Sequence, residues 1–293
     1  MFNSLTKESI TRRRFLLASA CAGAGLALYS SEIERHWIEI TRCDVLIPGL
    51  PRAFDGFRAA QLSDIHLDEY SEPFFLRDAV RQINLLNPDA VFLTGDFVTH
   101  EILPKRFSIG PAWQCANLLN ALKCSQRYAI LGNHDVMVGR NHVVGALTAN
   151  AITVLVNSYV SIERNGARFW LAGFDDPVAG RPNLEKAIPE SIRNVSGEPI
   201  VVLCHAPDYA DHFLQSPAGE AVSLILAGHT HGGQVRLPLV GPLDLPELGR
   251  KYVEGWFRLQ NIQLYVNRGL GTVGVPFRLD CPPEITLFTF RSA

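Results

Sequence analysis

The feature that most constrains this chain is a series of five short motifs, rich in acidic residues and histidine, that follow apolar segments. In chain order they are Asp64-Ile65-His66, Gly95-Asp96, Gly132-Asn133-His134-Asp135, His205 and Gly228-His229-Thr230-His231. A single Asp-x-His pair is more often a surface turn, so the prediction depends on the whole series. Together the motifs offer seven oxygen or nitrogen ligands and a spare histidine, which suits two metal ions and phosphate-ester chemistry.

The apolar segments before the motifs predict buried strands, and the pattern as a whole predicts an α/β fold. The predicted strands are 57–63, 89–94, 127–131, 169–173, 200–204, 222–227, 263–266 and 285–290. Helices are predicted at 74–86 and 113–122, and long loops at 101–112, 174–183 and 235–256. Because ligands bind beyond the carboxyl ends of strands in such sheets, we expect the motifs to form one site.

Composition narrows the class of protein. The chain has 293 residues, of which 47% are hydrophobic, and this is enough for one large domain. The net charge of −2 lacks the basic excess of a nucleic-acid-binding protein, so no nucleic-acid binding is expected. Its six cysteines form no Cys-x-x-Cys pair, which gives a zinc-ribbon or thioredoxin-like protein little support.

The N-terminus predicts a targeting segment. Arg12 and Arg13 precede an apolar run at 15–29, and the pattern resembles a twin-arginine export signal. We therefore expect residues 1–31 to be a signal or signal anchor and 32–293 to be the functional domain. The expected partner is the twin-arginine export machinery, and the expected location is periplasmic, extracytoplasmic or membrane-anchored. The alternative is a basic arm followed by a short core helix.

The types of ligand indicate the metals. Asp64 and His66 are two residues apart, as are His229 and His231, so each pair can point to one side of an extended chain. Mixed carboxylate and imidazole ligands suit Mn, Fe, Co or Zn, and they suit Ca poorly. Asp96 has two oxygens and a full charge, so it can bridge two ions. We expect two divalent ions, with Mn²⁺ favoured.

The order of the five motifs resembles the calcineurin-like metallophosphoesterase superfamily. The segments 228–234 (GHTHGGQ) and 267–271 (NRGLG) resemble its YaeI/YkuE-like branch, which includes phosphodiesterases and relatives that hydrolyse UDP-2,3-diacylglucosamine. The resemblance implies a four-layer α/β/β/α sandwich. It also implies one metal held by Asp64, His66, Asp96 and His231, and a second held by Asp96, Asn133, His205 and His229. A hydroxide between the metals would attack phosphorus, and His134 would be the general acid.

The resemblance leaves the substrate open. Protein phosphatases of the superfamily carry Asp and Arg three and four residues after the bridging Asp, where this chain has Thr99 and His100. We therefore expect a phosphodiester or pyrophosphate substrate. The alternatives are UDP-2,3-diacylglucosamine pyrophosphate hydrolysis in lipid A synthesis and, from another class, a metal-binding scaffold without catalysis. Arg268 could bind phosphate or form a structural salt bridge, and apolar loop residues such as Leu239 could touch a membrane surface or pack within the loop.

Overall fold

The structure, a computed structural model, describes residues 11–67, 71–100, 106–193 and 195–292. The start of the predicted signal and part of the predicted loop 101–112 lie outside these ranges. The strands are β1 (Glu39–Ile47), β2 (Arg58–Leu62), β3 (Ala90–Leu93), β4 (Arg127–Ala129), β5 (Thr153–Val154), β6 (Ser158–Arg164), β7 (Ala167–Gly173), β8 (Ile200–Leu203), β9 (Val222–Ala227), β10 (Arg236–Leu237), β11 (Gly241–Pro242), β12 (Gly255–Leu259), β13 (Ile262–Val266) and β14 (Glu284–Ser292). The α-helices are α1 (Arg12–Leu28), α2 (Pro73–Leu86), α3 (Arg106–Leu119), α4 (Asn133–Ala149), α5 (Leu184–Ala187), α6 (Ala210–Phe213) and α7 (Pro217–Glu220).

Two six-stranded sheets carry the fold. The first has the order β1-β14-β2-β3-β4-β5, and the second has the order β12-β13-β9-β8-β7-β6. In the first sheet β2, β3, β4 and β5 are parallel, and in the second β7, β8, β9 and β13 are parallel. The strands that precede the five motifs all belong to these parallel groups, so their carboxyl ends can meet in one place.

Alternating side chains on the strands build four layers. In β3, Ala90 and Phe92 pack between the two sheets, whereas Val91 and Leu93 pack on the outer face against helices. This alternation follows from the twofold period of a strand. Helices α2, α3 and α4 cover the first sheet, and the short helices α5, α6 and α7 cover the second. The expected four-layer α/β/β/α sandwich is confirmed.

Most predicted elements occur within a few residues of their expected bounds, but the loop predicted at 101–112 is corrected. Helix α3 begins at Arg106 and contains Pro111, which removes one helical hydrogen bond. Ala112 and Cys115 are buried in the core that α3 shares with α2 and α4, so packing outweighs the proline. The predicted loop at 235–256 contains the two short strands β10 and β11.

The N-terminal helix continues beyond α1. Tyr29–Ile33 form a π-helical turn and Glu34–His36 a 3-10 turn, so the helix passes without a break through residue 31, the predicted end of the signal. In the described part of the chain, Arg12–His36 is the one helix whose length and composition would allow it to cross a membrane. Because it is close to the N-terminus, it could be either a signal or an anchor.

Candidate metal centre

The predicted ligands come together at the carboxyl ends of the parallel strands. Asp64 and His66 follow β2, and Asp96 follows β3. Asn133 follows β4 as the first residue of α4, while His205 follows β8, and His229 and His231 follow β9. Each of these residues is buried, although Asp and Asn side chains are mostly exposed in proteins and His side chains are intermediate. The site therefore lies where the edges of the two sheets meet.

One group of ligands contains Asp64, His66 and His231, whose candidate ligand atoms all lie within 4.8 Å of one another. His66 Nε2 is 3.1 Å from His231 Nε2, and His231 Nε2 is 3.6 Å from Asp64 Oδ1. Asp96 Oδ2 is 3.6 Å from His66 Nε2, which brings the predicted bridging carboxylate beside this group. The nitrogens and oxygens thus converge on one point, as metal ligands must.

A second group contains Asp96, His205 and His229, again with all candidate atoms within 4.8 Å. His205 Nε2 lies 3.1 Å from Asp96 Oδ2 without hydrogen-bond geometry. Asn133 Oδ1 is also buried and has no hydrogen-bond partner. Buried polar atoms without partners are costly, and a cation would satisfy both of these. The residues present therefore fit a pair of divalent ions, with Asp96 between the two groups.

Hydrogen bonds orient the rings of three of the four predicted histidine ligands. His205 Nδ1 donates to the Thr94 carbonyl oxygen at 2.7 Å, which turns Nε2 toward Asp96. His66 Nδ1 lies 3.0 Å from Thr99 Oγ1, which leaves Nε2 toward the site. His229 Nε2 donates to the Glu247 carbonyl oxygen at 2.7 Å, so Nδ1 is its available ligand atom. Such supporting contacts fix the tautomer and the direction of a metal-binding imidazole.

Asp135 holds the chain around Asp96. Its carboxylate accepts backbone N–H bonds from Asp96 at 2.8 Å, from Phe97 at 2.9 Å and from Gly132 at 3.0 Å. Asp135 closes the third sequence motif and is not one of the seven predicted ligands. Its position supports the loops of two motifs and is not in either ligand group.

The electrostatics of the metal-free chain fit a cation site. Burial lowers the pKa of His66 to about 3 and that of His229 to about 4, so both rings are unprotonated at neutral pH, as ligands must be. Burial raises the pKa of Asp64 to about 6. Burial alone would lower the pKa of His205, but attraction to Asp96 raises it well above its usual value. The negative charge of Asp96 thus favours a positive charge at this position.

His134 lies at the start of α4 beside both groups. Its backbone N–H donates to Asp96 Oδ1 at 2.9 Å, and its Nδ1 accepts from the His100 N–H at 2.8 Å. A neutral ring that accepts at Nδ1 carries its proton on Nε2. By distance alone His134 also groups with His66 and Asp96 as a candidate ligand. The bond from His100 favours a proton donor, because Nδ1 is engaged and Nε2 holds hydrogen.

Two arginines have roles that the sequence did not reveal. Arg268 pairs with Glu39 at 2.7 Å and with Glu284 at 3.5 Å, which is the structural salt bridge that the sequence analysis left as an alternative. Arg278 is fully buried, and its Nη2 donates to the Gly271 carbonyl oxygen at 2.6 Å and lies 3.5 Å from His231 Nδ1. No motif surrounds Arg278 in the sequence, so its place beside a ligand could not have been expected.

A cavity of about 670 Å³ opens onto the centre. Asp96, Asn133, His134, His229 and His231 line one part of it. Its other walls are largely apolar and come from loops at 233–246 and 273–279 and from helix α1. The volume is in the range of binding sites for small molecules.

Comparison with known proteins identifies the family. Residues 57–233 match the model of the calcineurin-like phosphoesterase family, and the chain belongs to this family. It is 32% identical to the metallophosphoesterase YkuE of Bacillus subtilis (97% of this chain, 99% of YkuE) and 33% identical to the phosphodiesterase YaeI of Escherichia coli (95% and 98%). It is 26% identical to the UDP-2,3-diacylglucosamine pyrophosphatase LpxG of Chlamydia trachomatis (89% and 91%).

Among solved structures, the NAD nucleotidase of Haemophilus influenzae has a similar fold. The TM-score is 0.50 at 14% identity, over 73% of this chain and 45% of the nucleotidase. The family and these relatives make the chain a metal-dependent phosphoric ester hydrolase of the branch that contains YkuE, YaeI and LpxG.

Proposed function

We propose that the protein hydrolyses a phosphodiester or pyrophosphate bond with two divalent ions, and that His134 protonates the leaving group. The observation that carries the proposal is the pair of ligand groups that meet at Asp96, with His134 beside them in the cavity and its Nδ1 accepting from the His100 N–H. In the reaction, water adds to phosphorus, one P–O ester or anhydride bond breaks, and the departing oxygen takes a proton.

Seven residues would hold the ions: Asp64, His66, Asp96 and His231 for one, and Asp96, Asn133, His205 and His229 for the other. Two bound ions would supply positive charge for the phosphoryl oxygens and activate water. We propose that both ions are Mn²⁺, with Fe, Zn or Co as alternatives, because carboxylate, amide and imidazole ligands occur together.

Residues of the chain itself position the groups of the site and supply the proton. The His134 N–H holds Asp96 Oδ1 at 2.9 Å, so the bridging carboxylate and the proton donor keep a constant relation. The His100 N–H on Nδ1 keeps the ring of His134 turned with Nε2–H toward the cavity. A proton supplied in the transition state contributes about 10²–10⁴-fold to such a rate.

Thr99 and His100 occupy the positions where protein phosphatases carry Asp and Arg, and in this chain both contact histidines of the site. Thr99 contacts His66 Nδ1, and the backbone N–H of His100 holds His134. These contacts support a diester or pyrophosphate rather than a phosphoprotein as the substrate.

A second candidate function is hydrolysis of the pyrophosphate bond in UDP-2,3-diacylglucosamine, as part of lipid A synthesis. The largely apolar cavity next to the ligands and the similarity to LpxG both favour it. Parallel assays on this nucleotide lipid and on a simple diester would rank the two candidates.

We further propose that Arg12 and Arg13 direct export by the twin-arginine machinery, with the domain outside the cytoplasm or anchored to the membrane. Thr11 caps α1, and Arg12 and Arg13 are its first two residues, so the pair lies at the exposed start of the helix. Unchanged localisation after replacement of both arginines by lysine would count against this route.

The main test uses full-length protein with Mn²⁺, bis-p-nitrophenyl phosphate and a dialkyl phosphate. We expect Asp96→Ala to abolish both activities. His134→Ala should lower the rate on the dialkyl ester by about 10²–10⁴-fold, and less on the nitrophenyl ester, because nitrophenolate leaves without a proton. His142→Ala is the matched control, since His142 is an exposed histidine on the same helix. Full activity of Asp96→Ala would overturn the two-metal site, and complete inactivity of the wild type would favour a non-catalytic metal-binding scaffold.

A further inference from the structure

The cavity next to the metal centre has a polar part and an apolar part. Asp96, His134 and His231 lie at the polar part. Leu243, Val275 and Phe277 are among the apolar residues that line the rest. A wholly polar substrate would leave these apolar walls wet, whereas a molecule with a phosphate group and an apolar chain would satisfy both parts.

Helix α1 forms one wall of this cavity. Gly23, Leu26 and Ala27 of α1 and Ser30 of the π-helical turn that continues it line the cavity, at positions i, i+3, i+4 and i+7, which is one face of a helix. This face extends for about 10 Å along the helix axis. A segment with the sequence features of an export signal thus lies against the substrate cavity.

The end of the helix is fixed to the domain by hydrogen bonds. The Ser30 carbonyl oxygen accepts from the Arg278 N–H at 3.0 Å, and Glu34 Oε1 accepts from the Cys281 N–H at 2.7 Å. Arg35 pairs with Glu72 at 2.8 Å. Ser30, Glu34 and Arg35 are all buried. These contacts hold the wall of the cavity in place, and cleavage near residue 31 would remove it.

After its three N-terminal arginines, α1 is apolar and uncovered. None of the residues of α1 is buried, and Phe15, Leu16, Leu17 and Leu28 are exposed. The whole of α1, with its 17 residues, is about 25 Å long. A bilayer is the surrounding that would cover such a helix. Leu243 and Val275, which line the cavity, are exposed as well, so the apolar surface continues from the helix to the cavity.

We infer that α1 stays attached as a membrane anchor and that the cavity binds the apolar chain of a membrane lipid whose phosphoester group reaches the metal centre. The inference rests on the proposed phosphoesterase function and adds the substrate class to it. The C-terminal part of α1 lines the cavity, and the turns that follow it are hydrogen-bonded to the domain, so the phosphate of a lipid lying along that helix would be close to the predicted ligands. Hydrolysis adds one water and splits one P–O bond, and the acyl or alkyl chain is unchanged.

A first experiment varies chain length on full-length protein. The probes are alkyl p-nitrophenyl phosphates with butyl, octyl and dodecyl chains, which release p-nitrophenolate and leave the alkyl phosphate. We expect kcat/KM to rise by up to about fourfold for each added methylene until the cavity is filled. Equal kcat/KM for all three chains would overturn the inference.

Matched variants of α1 test its role as a wall. Ala27→Trp would fill the cavity, whereas Leu28→Trp places the same side chain on a helix residue that does not line it. The quantity compared is the ratio of kcat/KM for the dodecyl ester to kcat/KM for the butyl ester, and we expect Ala27→Trp to lower this ratio toward one and Leu28→Trp to keep it at the wild-type value. Both original residues are exposed, so neither change disturbs the core. Identical behaviour of the two variants would contradict the assignment.

A second experiment tests the membrane as the source. Protein and dodecyl ester are placed either in the same phosphatidylcholine vesicles or in separate ones. We expect hydrolysis in shared vesicles and little in separate vesicles. Equal rates, or a protein whose mass shows loss of residues 1–31 after expression, would overturn the anchored-helix inference. If bis-p-nitrophenyl phosphate is not hydrolysed at all, the proposed function itself fails; if it is hydrolysed without dependence on chain length, only this inference fails.

Discussion

Five of the seven predicted ligands have backbone torsions that residues with side chains seldom adopt. They are Asp64 (φ 50°), His66 (φ 46°), Asp96 (φ 55°), His229 (φ 73°) and His231 (φ 51°). Such left-handed conformations cost on the order of 1 kcal/mol or more each and persist only where surrounding contacts hold them. Here the His66 N–H donates to the Asp96 carbonyl oxygen at 3.0 Å, and the Asp64 N–H donates to the Gly95 carbonyl oxygen at 2.9 Å. The motifs therefore hold one another in a shape prepared for ligands.

A buried carboxylate outside the predicted ligand set should govern part of the pH dependence of stability. Asp176 is fully buried, and burial raises its pKa to about 6 from 3.8. Because the pKa of Asp176 is higher in the folded state than in the unfolded state, protonation of Asp176 stabilises the folded state. This stabilisation is complete at a pH below the unfolded-state pKa of 3.8, and it is lost as the pH rises through about 6. We expect Asp176→Asn to increase the free energy of unfolding by up to about 3 kcal/mol at pH 8, with no gain below pH ~4.

The measurement is urea unfolding of wild type and variant, both with a chelator, across pH 4 to 8. The quantity compared is the difference in the free energy of unfolding between the two proteins at each pH. Taking this difference removes the effects of the other titrating groups. A difference that does not change with pH would contradict the role given to Asp176.

At the residue scale the sequence predicted the ligands themselves better than the groups that orient the ligands. Carboxylates and imidazoles at strand ends are recognisable by type and spacing. The Thr94 and Glu247 carbonyl oxygens that orient His205 and His229 carry no side-chain signal at all. Arg278 and Asp176 act through where the fold places them, so a pattern along the chain could not identify them.

The turn from β4 into α4 depends on the absence of a side chain. A Cβ on Gly132 would lie 2.2 Å from Asp96 Oδ1 and 2.6 Å from His205 Nε2. We expect Gly132→Ala to displace these two groups and lower activity by about 100-fold, as small misplacements in active sites do. The assay is hydrolysis of bis-p-nitrophenyl phosphate together with measured metal content.

Gly145 provides the control for this substitution on the helix that follows. A Cβ there would meet nothing within 4 Å. Gly145→Ala should keep activity and raise stability by up to about 1 kcal/mol, because alanine favours a helix. If the Gly132→Ala enzyme is as active as the Gly145→Ala enzyme, the close approach of Gly132 to Asp96 and His205 is unimportant for activity.

At the element scale the strands that precede motifs were predictable, and some others were not. Runs such as 222–227 are continuously apolar and agree with β9. Strand β1 mixes exposed and buried residues, because it lies at an edge of its sheet, and its sequence has no clear period. Helix α4 begins inside a ligand motif and contains Gly139 and Gly145, which weaken the helical pattern. In both cases packing with distant elements, rather than local preference, decides the structure.

Metal binding should stabilise the molecule as a whole. The ligands come from strands of both sheets, so bound ions favour the folded chain over the unfolded chain. With free metal at 100 times its dissociation constant, the gain is about 2.7 kcal/mol per site. In a protein of this size, the gain from one site corresponds to about 5–10 °C in Tm.

Differential scanning fluorimetry with Mn²⁺ and with a chelator measures this shift. Asp96→Ala should reduce it strongly, because both ligand groups include or adjoin Asp96. A shift of the same size in the variant would mean that the ions stabilise the protein from another place.

The sheet order also sets when the parts of the molecule can assemble. β1 pairs with β14, and the helix that precedes β1 is held by Arg278 and Cys281, close to the end of the sequence. At ~5–20 residues per second, a ribosome makes Arg278 on the order of 10–50 s after Ser30. The first helix thus emerges early, and beyond the Arg35–Glu72 pair its hydrogen bonds to Arg278 and Cys281 form only when the end of the chain exists. Docking of the N-terminal helix therefore requires almost the whole chain, and a chain that ends before Arg278 lacks both of these hydrogen bonds.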